Sequence, residues 1–489
     1  MTRSRTRVAW IVLGLLTTVQ VAIGARRAVV MFREGLAAGV EPLRWSAALG
    51  EDLLLCGLLA LAAWWWLPAR GPRRPAAWAV RFLLLAWLVG LFHYAWGLLT
   101  GRLEHAVTWL VIALLFAAGA VVRRVTDEPV GPAAPEPHRA LRHPATWLAI
   151  LFYAAQAPHL VFPYHYTDAV QIWACRAFQF AARGGMTGIF DCLDPARPPL
   201  HSIQLWLGIE DPTFQGRLLP FLLVGAFGLL LHHLLRRVAP RLAPWGLLWF
   251  FATGAVLQQG LNSYAGVPQM LAIGVCIALA TDDGTLAGHR RLGIAWGLVA
   301  GAAVALIKRD GMPELVVVAG VLIVLAADRR DPRLWAPLVG VALGYLSWVV
   351  RPAELLAPAL FEPSLGSWTP AAALRAMKTL LFGVQGQVFS HYGWGAFAWT
   401  WIIVAVWAWR QGPGSELARR WGLVGLAGWV ATLGLYVVLT FLGQPQMSTL
   451  YVIRTGFGRH LVHFFPFCLL HATAAAERLI RAPEPRAAG

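Results

Sequence analysis

Long apolar runs recur along almost the whole of this 489-residue sequence, and they restrict the chain to one kind of architecture. Each run holds roughly 17 to 23 residues, enough for one helix to cross the hydrocarbon core of a bilayer. Charged residues make up only 13% of the sequence, against about 25% in a soluble domain. We therefore predict an all-α polytopic membrane protein with about fourteen transmembrane helices, over residues 8–28, 47–67, 77–99, 105–122, 145–163, 216–235, 242–258, 263–281, 291–307, 313–328, 333–350, 393–409, 420–442 and 458–475.

The basic residues predict the orientation of these helices, because Lys and Arg concentrate in cytoplasmic loops. If the N-terminus lies in the cytoplasm and the helices alternate, each cytoplasmic loop contains a pair of arginines, at 73–74, 123–124, 236–237, 290–291, 329–330 and 419–420. We predict a protein integral to the cytoplasmic (inner) membrane, with both termini in the cytoplasm. The net charge of +17 then reflects topology and contact with membrane lipids, which argues against a nucleic-acid partner.

A Pro-rich charged linker at residues 126–144 divides the chain. We predict a four-helix membrane extension at 1–125 and a membrane core at 145–477 with a cytoplasmic tail at 478–489. The core contains an outer loop at 164–212 that is the longest polar interruption of the chain, and the stretch 163–212 carries five carboxylates, at Asp168, Asp191, Asp194, Glu210 and Asp211. So many acids in one loop indicate chemistry at the outer face.

Two outer segments have the spacing of amphipathic helices. Residues 168–183 and 371–382 each repeat apolar side chains every three or four positions, with polar side chains between them. Such helices could lie flat at the outer interface and cover a cavity, or could simply anchor the loops there. Cys175 and Cys192 share the outer loop and could pair in an oxidising compartment, but their separation does not decide whether they do.

Five segments that all fall on the outer side carry a recognisable pattern: TDAVQIWACRAF (167–178), DPARPPLHSIQLW (194–206), NSYAGVPQMLA (262–272), LIKRDGMPELV (306–316) and RTGFGRHLVHFFPF (454–467). Together they resemble motifs of the GT-C membrane glycosyltransferases, the polyprenyl-phosphate-sugar-dependent relatives of protein mannosyltransferases and lipid A aminoarabinose transferases. The first resembles D-A-x-x-x-W-x-x-K-A and the fourth L-x-K-x-E-G. The resemblance covers about 145–320 and 454–476, and nothing in 1–125 aligns.

The resemblance implies a GT-C-like core with amphipathic helices in the first long outer loop. It also implies a glycosyltransferase that moves a hexosyl or pentosyl unit from a polyprenyl-phosphate donor to an acceptor, with inversion, in cell-envelope glycan biosynthesis. The sequence departs from the family at three positions: Arg176 stands for the usual Lys, Gly266 for an acid and Asp310 for Glu. These departures bear on substrate details more than on the class.

Asp168 matches the family's catalytic aspartate, and we predict that it is the general base that accepts the proton of the attacking hydroxyl. As an alternative, it could serve as the N-cap of the helix that follows. Asp191 and Asp194 could orient the acceptor or hold a divalent metal ion, or could only form turns. No cofactor is certain, and dependence on a metal stays open.

Cations near the outer ends of helices predict the binding site for the donor phosphate. We assign Lys308, Arg459, Arg454 and Arg309 to this site, with Arg176, Tyr264, Asp310 and His460 in supporting positions. Snorkelling to the interface, or pairing of Lys308 with Asp310, is the alternative. The acceptor could be a lipid, a glycan or a protein.

Two other functions stay open at this stage. A transporter or flippase of lipid-linked sugars would place ionisable residues inside its helices, whereas here the acids gather in outer loops. A polysaccharide polymerase or ligase usually carries its large outer loop late in the chain, whereas this loop follows the fifth predicted helix. Both observations favour the glycosyltransferase.

Overall fold

The computed structural model describes residues 2–37, 47–67, 75–125, 143–161, 169–186, 192, 198–208, 217–256, 265–281, 286–287, 289–308, 311–326, 328–351, 371, 374, 377–378, 381, 394–411, 416–442 and 460–480. Sixteen α-helices run through these residues: α1 (Thr2–Ala37), α2 (Ala47–Trp65), α3 (Pro75–Thr100), α4 (His105–Val125), α5 (Pro144–Ala154), α6 (Cys175–Arg183), α7 (Leu200–Trp206), α8 (Leu218–Val238), α9 (Ala243–Ala252), α10 (Gly266–Ala280), α11 (Arg290–Ile307), α12 (Gly311–Leu325), α13 (Pro332–Val349), α14 (Phe397–Gln411), α15 (Glu416–Leu442) and α16 (Phe465–Ile480). The described residues contain no β-strand, so the prediction of an all-α protein is confirmed for them.

Each of the fourteen predicted apolar runs overlaps one of these helices, and α6 and α7 belong to the long loop. Five described helices are long and apolar enough to cross a membrane, at Arg7–Ala37, Pro75–Thr100, His105–Arg123, Leu218–Val238 and Arg290–Ile307. An all-helical membrane protein is therefore supported by these five helices. The full number of fourteen crossings stays a prediction, because several of the other apolar helices have only 10 to 17 residues.

Two of the predicted spans are interrupted. The span predicted at 145–163 stops being α-helical at Ala154 and continues as a 3-10 turn. Pro158 explains this break, because its ring would clash with the carbonyl of residue 154 and it has no N–H to continue the helix. The span predicted at 242–258 is broken at Thr253, where the backbone is extended and the hydroxyl donates to the carbonyl of Trp249.

Small residues allow α11 and α13 to pack very closely. A Cβ placed on Gly301 would lie 2.0 Å from the carbonyl oxygen of Pro337, and one on Gly340 would lie 2.2 Å from that of Leu298. Close backbone approach through glycine is a common way for helices to associate inside a membrane, where the hydrophobic effect does not drive their contact. The two helices also start together, since Arg290 forms an ion pair with the α13 N-cap residue Asp331.

Polar contacts define two opposite ends of the bundle. We call the first the Arg81 end: the buried guanidinium of Arg81 donates to the carbonyls of Leu286 and Ala287, directly before α11. The carboxylate of Glu477 lies at the same end, where it accepts from the backbone of Arg241 and Leu242. Because α11 and α13 start there, they finish at the opposite end, which we call the Lys308 end.

The first four helices contact the rest of the chain directly. Trp249 of α9 donates to Thr17 of α1 at 2.9 Å, and Gln20 of α1 donates to Thr253 at 3.1 Å and accepts from the backbone of Ala396. Helix α3 packs against α7, α8 and α11. The division into an extension at 1–125 and a core at 145–477 stays a prediction, and most of the predicted linker (126–142) and the tail from 481 lie outside the described residues.

In the second segment predicted to be amphipathic, 371–382, the five residues that the structure describes are all helical. Leu374, Met377 and Leu381 are 73%, 44% and 68% exposed, and they are spaced as one face of a helix. Lys378 is exposed as well. An apolar stripe that faces away from the protein is typical of a segment that lies in the membrane interface.

Candidate functional site

Lys308 lies at the end of α11, where the backbone turns from helical to extended. This lysine is only 9% exposed, and its Nζ lies 2.5 Å from Nε2 of His460. An ammonium group has only protons to donate, so Lys308 donates and His460 accepts. The sequence contains just two lysines, at 308 and 378, among its 41 basic residues. A lysine at 308 is therefore an exception in a chain that otherwise uses arginine.

A second buried polar pair lies close by. Glu314, in the first turn of α12, places Oε2 at 2.6 Å from Nδ1 of His463, which lies in the 3-10 turn Val462–Phe464 before α16. The Glu314 and His463 side chains are 2% and 0% exposed. A carboxylate only accepts, so the imidazole donates from Nδ1. Its Nε2 and the second carboxylate oxygen have no hydrogen-bond partner among the described residues.

Ring contacts join the two pairs into one group. The imidazoles of His460 and His463 are stacked, with their centroids 5.7 Å apart and their planes inclined at 28°. The ring of Tyr436, from α15, lies 5.4 Å from that of His460. Lys308, Glu314 and the two histidines thus form a buried cluster at the Lys308 end, with one cation and one carboxylate. We call these four residues the Lys308 cluster.

Gln269 of α10 adds a further polar side chain beside this cluster. It is fully buried, and its Nε2 donates to the carbonyl of Val304 on α11. Its amide occupies the space next to Gly311, since a Cβ at that glycine would lie 1.4 Å from the amide nitrogen. The first turn of α12, which carries Glu314, therefore lies directly against α10.

Residues 169–183 of the predicted amphipathic segment form helix in the structure. A π-helical turn at Ala169–Ala174 leads into α6 (Cys175–Arg183), which ends at Gly184 with φ of 62°. Trp173, Ala177 and Phe180 are buried, as the predicted apolar face requires. Arg176 is also buried, and its guanidinium donates to the carbonyl of Pro198 at 3.4 Å. This hydrogen bond lies within the loop, and the supporting role of Arg176 in donor binding stays a prediction.

A disulfide links Cys175 to Cys192 across the outer loop. It joins the start of α6 to the acidic stretch that contains Asp191 and Asp194. The loop is also attached at the Lys308 end, directly after α3. The N–H of Leu103 donates to the carbonyl of Gly184, and the N–H of Met186 donates to that of Gly101. The outer loop and the Lys308 cluster therefore lie at the same end of the bundle.

Helix α7 is buried along its whole length, although it contains His201, Ser202 and Gln204. The indole of its last residue, Trp206, lies 5.0 Å from the ring of His93 and 4.4 Å from that of His105. His93 in turn shares a hydrogen bond of 2.8 Å with Thr108. These residues form a second polar region, between α3, α4 and α7.

Of the predicted site residues, the structure brings together Lys308 and His460, and it describes Arg176 in the loop. The others lie outside the described residues: Asp168, Asp191, Asp194, Tyr264, Arg309, Asp310, Arg454 and Arg459. The roles of all the predicted site residues stay predictions. Within the described ranges, no group of three or more His, Cys, Asp or Glu side chains is arranged to hold a metal ion.

Comparison with known proteins gives no match. Neither protein-family models, nor curated proteins, nor solved structures resemble this chain closely enough to identify a family. The relation to GT-C enzymes therefore stays a resemblance of short motifs.

Sequence reasoning missed Glu314 and did not assign His463 to the site. Glu314 reads as an ordinary acid in the first turn of a helix, where it interacts well with the helix dipole. One signal was present: it directly follows Pro313 at the start of an otherwise apolar run, where a carboxylate is costly unless it is paired. Its partner lies 149 residues away, and no local pattern identifies that partner.

Proposed function

We propose that this protein is a membrane glycosyltransferase that transfers a sugar from a polyprenyl-phosphate donor to an acceptor on the extracytoplasmic face. The observation that carries the proposal is the position of Lys308, a buried ammonium bonded to an imidazole at the end of α11. Burial of a cation in such a place is costly unless it is paired or serves a ligand or a pathway. A lipid-linked phosphate, which enters from the membrane, is a ligand that matches this charge and this depth.

The second support is chemical. Lysine is a compact point charge, whereas arginine recognises planar groups through a fork of donors. This chain uses arginine nearly everywhere else, so the lysine at 308 stands out. A compact point charge suits a ligand atom that gains negative charge as the reaction proceeds. The phosphate oxygen that leaves the sugar is such a group.

In the proposed reaction, the hydroxyl oxygen of the acceptor bonds to the anomeric carbon from the face opposite the phosphate. The bond between that carbon and the phosphate oxygen breaks, and its electron pair remains on the departing polyprenyl phosphate. Asp168 takes the proton of the hydroxyl. Lys308 and Arg459 stabilise the departing phosphate, and the configuration at the anomeric carbon is inverted.

The location of the reaction is supported by the disulfide and by the arginine pairs. Cys175 and Cys192 are joined in the loop at the Lys308 end, and disulfides persist in oxidising compartments such as the bacterial periplasm. The paired arginines lie at the opposite end: 290–291 begin α11, and 329–330 come just before α13. That distribution is the one expected if the Arg81 end faces the cytoplasm of an inner membrane.

The test is sugar transfer in membranes that contain the wild-type chain or Asp168→Asn at matched expression, with a panel of labelled polyprenyl-phosphate sugars. We expect transfer from at least one donor by the wild type, and a loss of about 100-fold or more in the variant, because a positioned base contributes that much. Full activity of Asp168→Asn would remove Asp168 as the base and move attention to Asp191 and Asp194. A folded wild type that transfers no sugar from any donor would contradict the proposal, and flipping of lipid-linked sugars would then be measured.

A further inference from the structure

We propose that Glu314 and His463 are positioning residues for Lys308. Their buried hydrogen bond fixes the segment that carries His460, and His460 holds the lysine ammonium in the place where it meets an anionic ligand. The identity of that ligand as the donor phosphate rests on the proposed function, whereas the positioning itself does not. Neither residue is expected to touch the reacting atoms.

The geometry of the segment carries the first step of the argument. His460 and His463 are three residues apart on one short helical turn, and their rings are stacked. When Glu314 accepts from Nδ1 of His463 at 2.6 Å, the backbone of that turn is attached to α12. A hydrogen bond to one ring nitrogen also sets the tautomer and the orientation of an imidazole. The orientation of His460 therefore depends on a contact made one turn away.

The second step concerns the two helices that flank Lys308. Lys308 is the C-cap residue of α11, and α12 begins at Gly311, only three residues later. Glu314 lies in the first turn of α12, and it is held against α10 where Gln269 meets Gly311. The carboxylate and the lysine therefore approach the two histidines from neighbouring helix ends, so that a shift of the carboxylate would be transmitted to the ammonium.

The third step is energetic. Burial of an ionised carboxylate costs several kcal/mol, by order of magnitude, and apolar side chains of the same volume often stabilise a protein as well or better. Stability alone therefore gives no reason for Glu314 and His463 to be polar. The carboxylate also keeps one oxygen without a hydrogen-bond partner among the described residues, so the pair is not arranged for maximal hydrogen bonding. Orientation of a neighbouring functional group accounts for the pair.

The two lysines of the chain provide a direct test. In purified full-length protein, an amine-reactive ester will modify Lys308 and Lys378, and peptide mass spectrometry will give the ratio of the two. The exposed Lys378 serves as an internal reference. We expect this ratio to rise severalfold in Glu314→Ala, since the lysine loses its fixed position. Glu314→Gln keeps an acceptor oxygen for His463, and we expect it to restore most of the wild-type ratio.

The matched control is Glu477→Gln, which alters another buried carboxylate at the Arg81 end and should leave the ratio unchanged. An unchanged ratio in folded Glu314→Ala would overturn the proposal. If Glu314→Ala does not fold, His463→Leu, which keeps the volume but cannot bond Glu314, takes its place, and an unchanged ratio in that variant overturns the proposal equally.

Donor kinetics separate this inference from the proposed function. In Glu314→Ala we expect the KM for the donor to rise about tenfold or more, because displacement of a binding group by an ångström is costly, while the KM for the acceptor is unchanged. A changed ratio without any sugar transfer by the wild type would support positioning and contradict the glycosyltransferase. Transfer that needs Lys308, with an unchanged ratio in Glu314→Ala, would support the enzyme and overturn positioning.

Discussion

The side-chain amide of Gln269 fills the space beside the Cα of Gly311. A Cβ added at Gly311 would lie 1.4 Å from Nε2 and 2.4 Å from Cδ of Gln269. The glutamine is fully buried and donates to Val304, so it has little room to move. The absence of a side chain at 311 therefore allows α12 to start against α10, and it places Glu314 within reach of His463.

We expect Gly311→Ala to displace Gln269 and to lower the free energy of unfolding by about 1–3 kcal/mol, the usual effect of an added methyl group in a packed core. Thermal unfolding in detergent will measure it. The control is Gly320→Ala in the same helix, where a Cβ meets nothing within 4 Å; it should be neutral or stabilising by up to about 1 kcal/mol. Equal melting temperatures for the two variants would contradict this account of Gly311.

Substitution of Lys308 tests the charge of the Lys308 cluster. Lys308→Met keeps a long apolar chain but removes the ammonium, and we expect it to raise the donor KM and lower kcat/KM by about 100-fold, as for loss of one electrostatic contact to a leaving group. Lys308→Arg should not restore activity, because a guanidinium differs in shape and hydration from an ammonium. Lys378→Met is the matched control, and activity in Lys308→Met equal to that of this control would exclude a role for Lys308.

Removal of the disulfide tests the outer loop. We expect Cys175→Ser and Cys192→Ser to lower stability by about 3 kcal/mol, the typical effect of one bridge over a loop of this length. Cys192 directly follows Asp191, so loss of the bridge should free the acidic stretch of the loop, and both variants should also lose activity. The double variant should be no less active or stable than either single variant. Cys276→Ser, at a buried free cysteine, controls for loss of a sulfur atom. A double variant with the sum of both losses would show that each cysteine acts separately.

The start of α13 predicts a dependence on pH. The hydrogen bond from Arg333 holds the pKa of Asp331 below its usual range. A carboxylate with a lowered pKa in the folded state stabilises that state above the unfolded pKa of about 4, and the effect is lost as the pH falls through the folded-state value. We expect Asp331→Asn to be less stable than the wild type by up to about 1 kcal/mol at pH 7, because solvent screens such pairs.

That difference should shrink as the pH is lowered below about 4, which thermal unfolding in an acid-stable detergent can follow. Asp328→Asn is the control, since Asp328 bonds the backbone of Arg330 and asparagine can make the same bond. A difference between wild type and Asp331→Asn that does not change with pH would assign the effect to packing.

The helices could largely be predicted from the sequence, because each apolar run is long enough to form one and the connecting segments are polar. Interruptions were harder to place: Pro158 was visible in the sequence, but no proline marks the break at Thr253, whose hydroxyl accepts from Gln20 of α1. The complete burial of α7 was not predictable either, since it results from the packing of α3, α6, α8 and α11 around it.

At the candidate site, sequence reasoning selected two of the four residues of the Lys308 cluster, but not their arrangement. Lys308 and His460 were each selected as outer-face groups, and the structure pairs them across 152 residues. Glu314 was overlooked, because its importance arises from His463 and not from its own neighbours in the chain. Contacts over such separations depend on how the helices pack, which a single sequence does not encode in any local pattern.

The guanidinium of Arg81 has a consequence for the biosynthesis of the chain. It donates to carbonyls that lie 205 and 206 residues further on. When a ribosome delivers α2 and α3 to the membrane, those carbonyls have not yet been synthesised, so α3 cannot complete its native contacts during its own insertion. Helix α3 therefore reaches its final packing only after α10 and residues 286–287 have been synthesised. A chain truncated before residue 286 should be recognised as incomplete by membrane quality control.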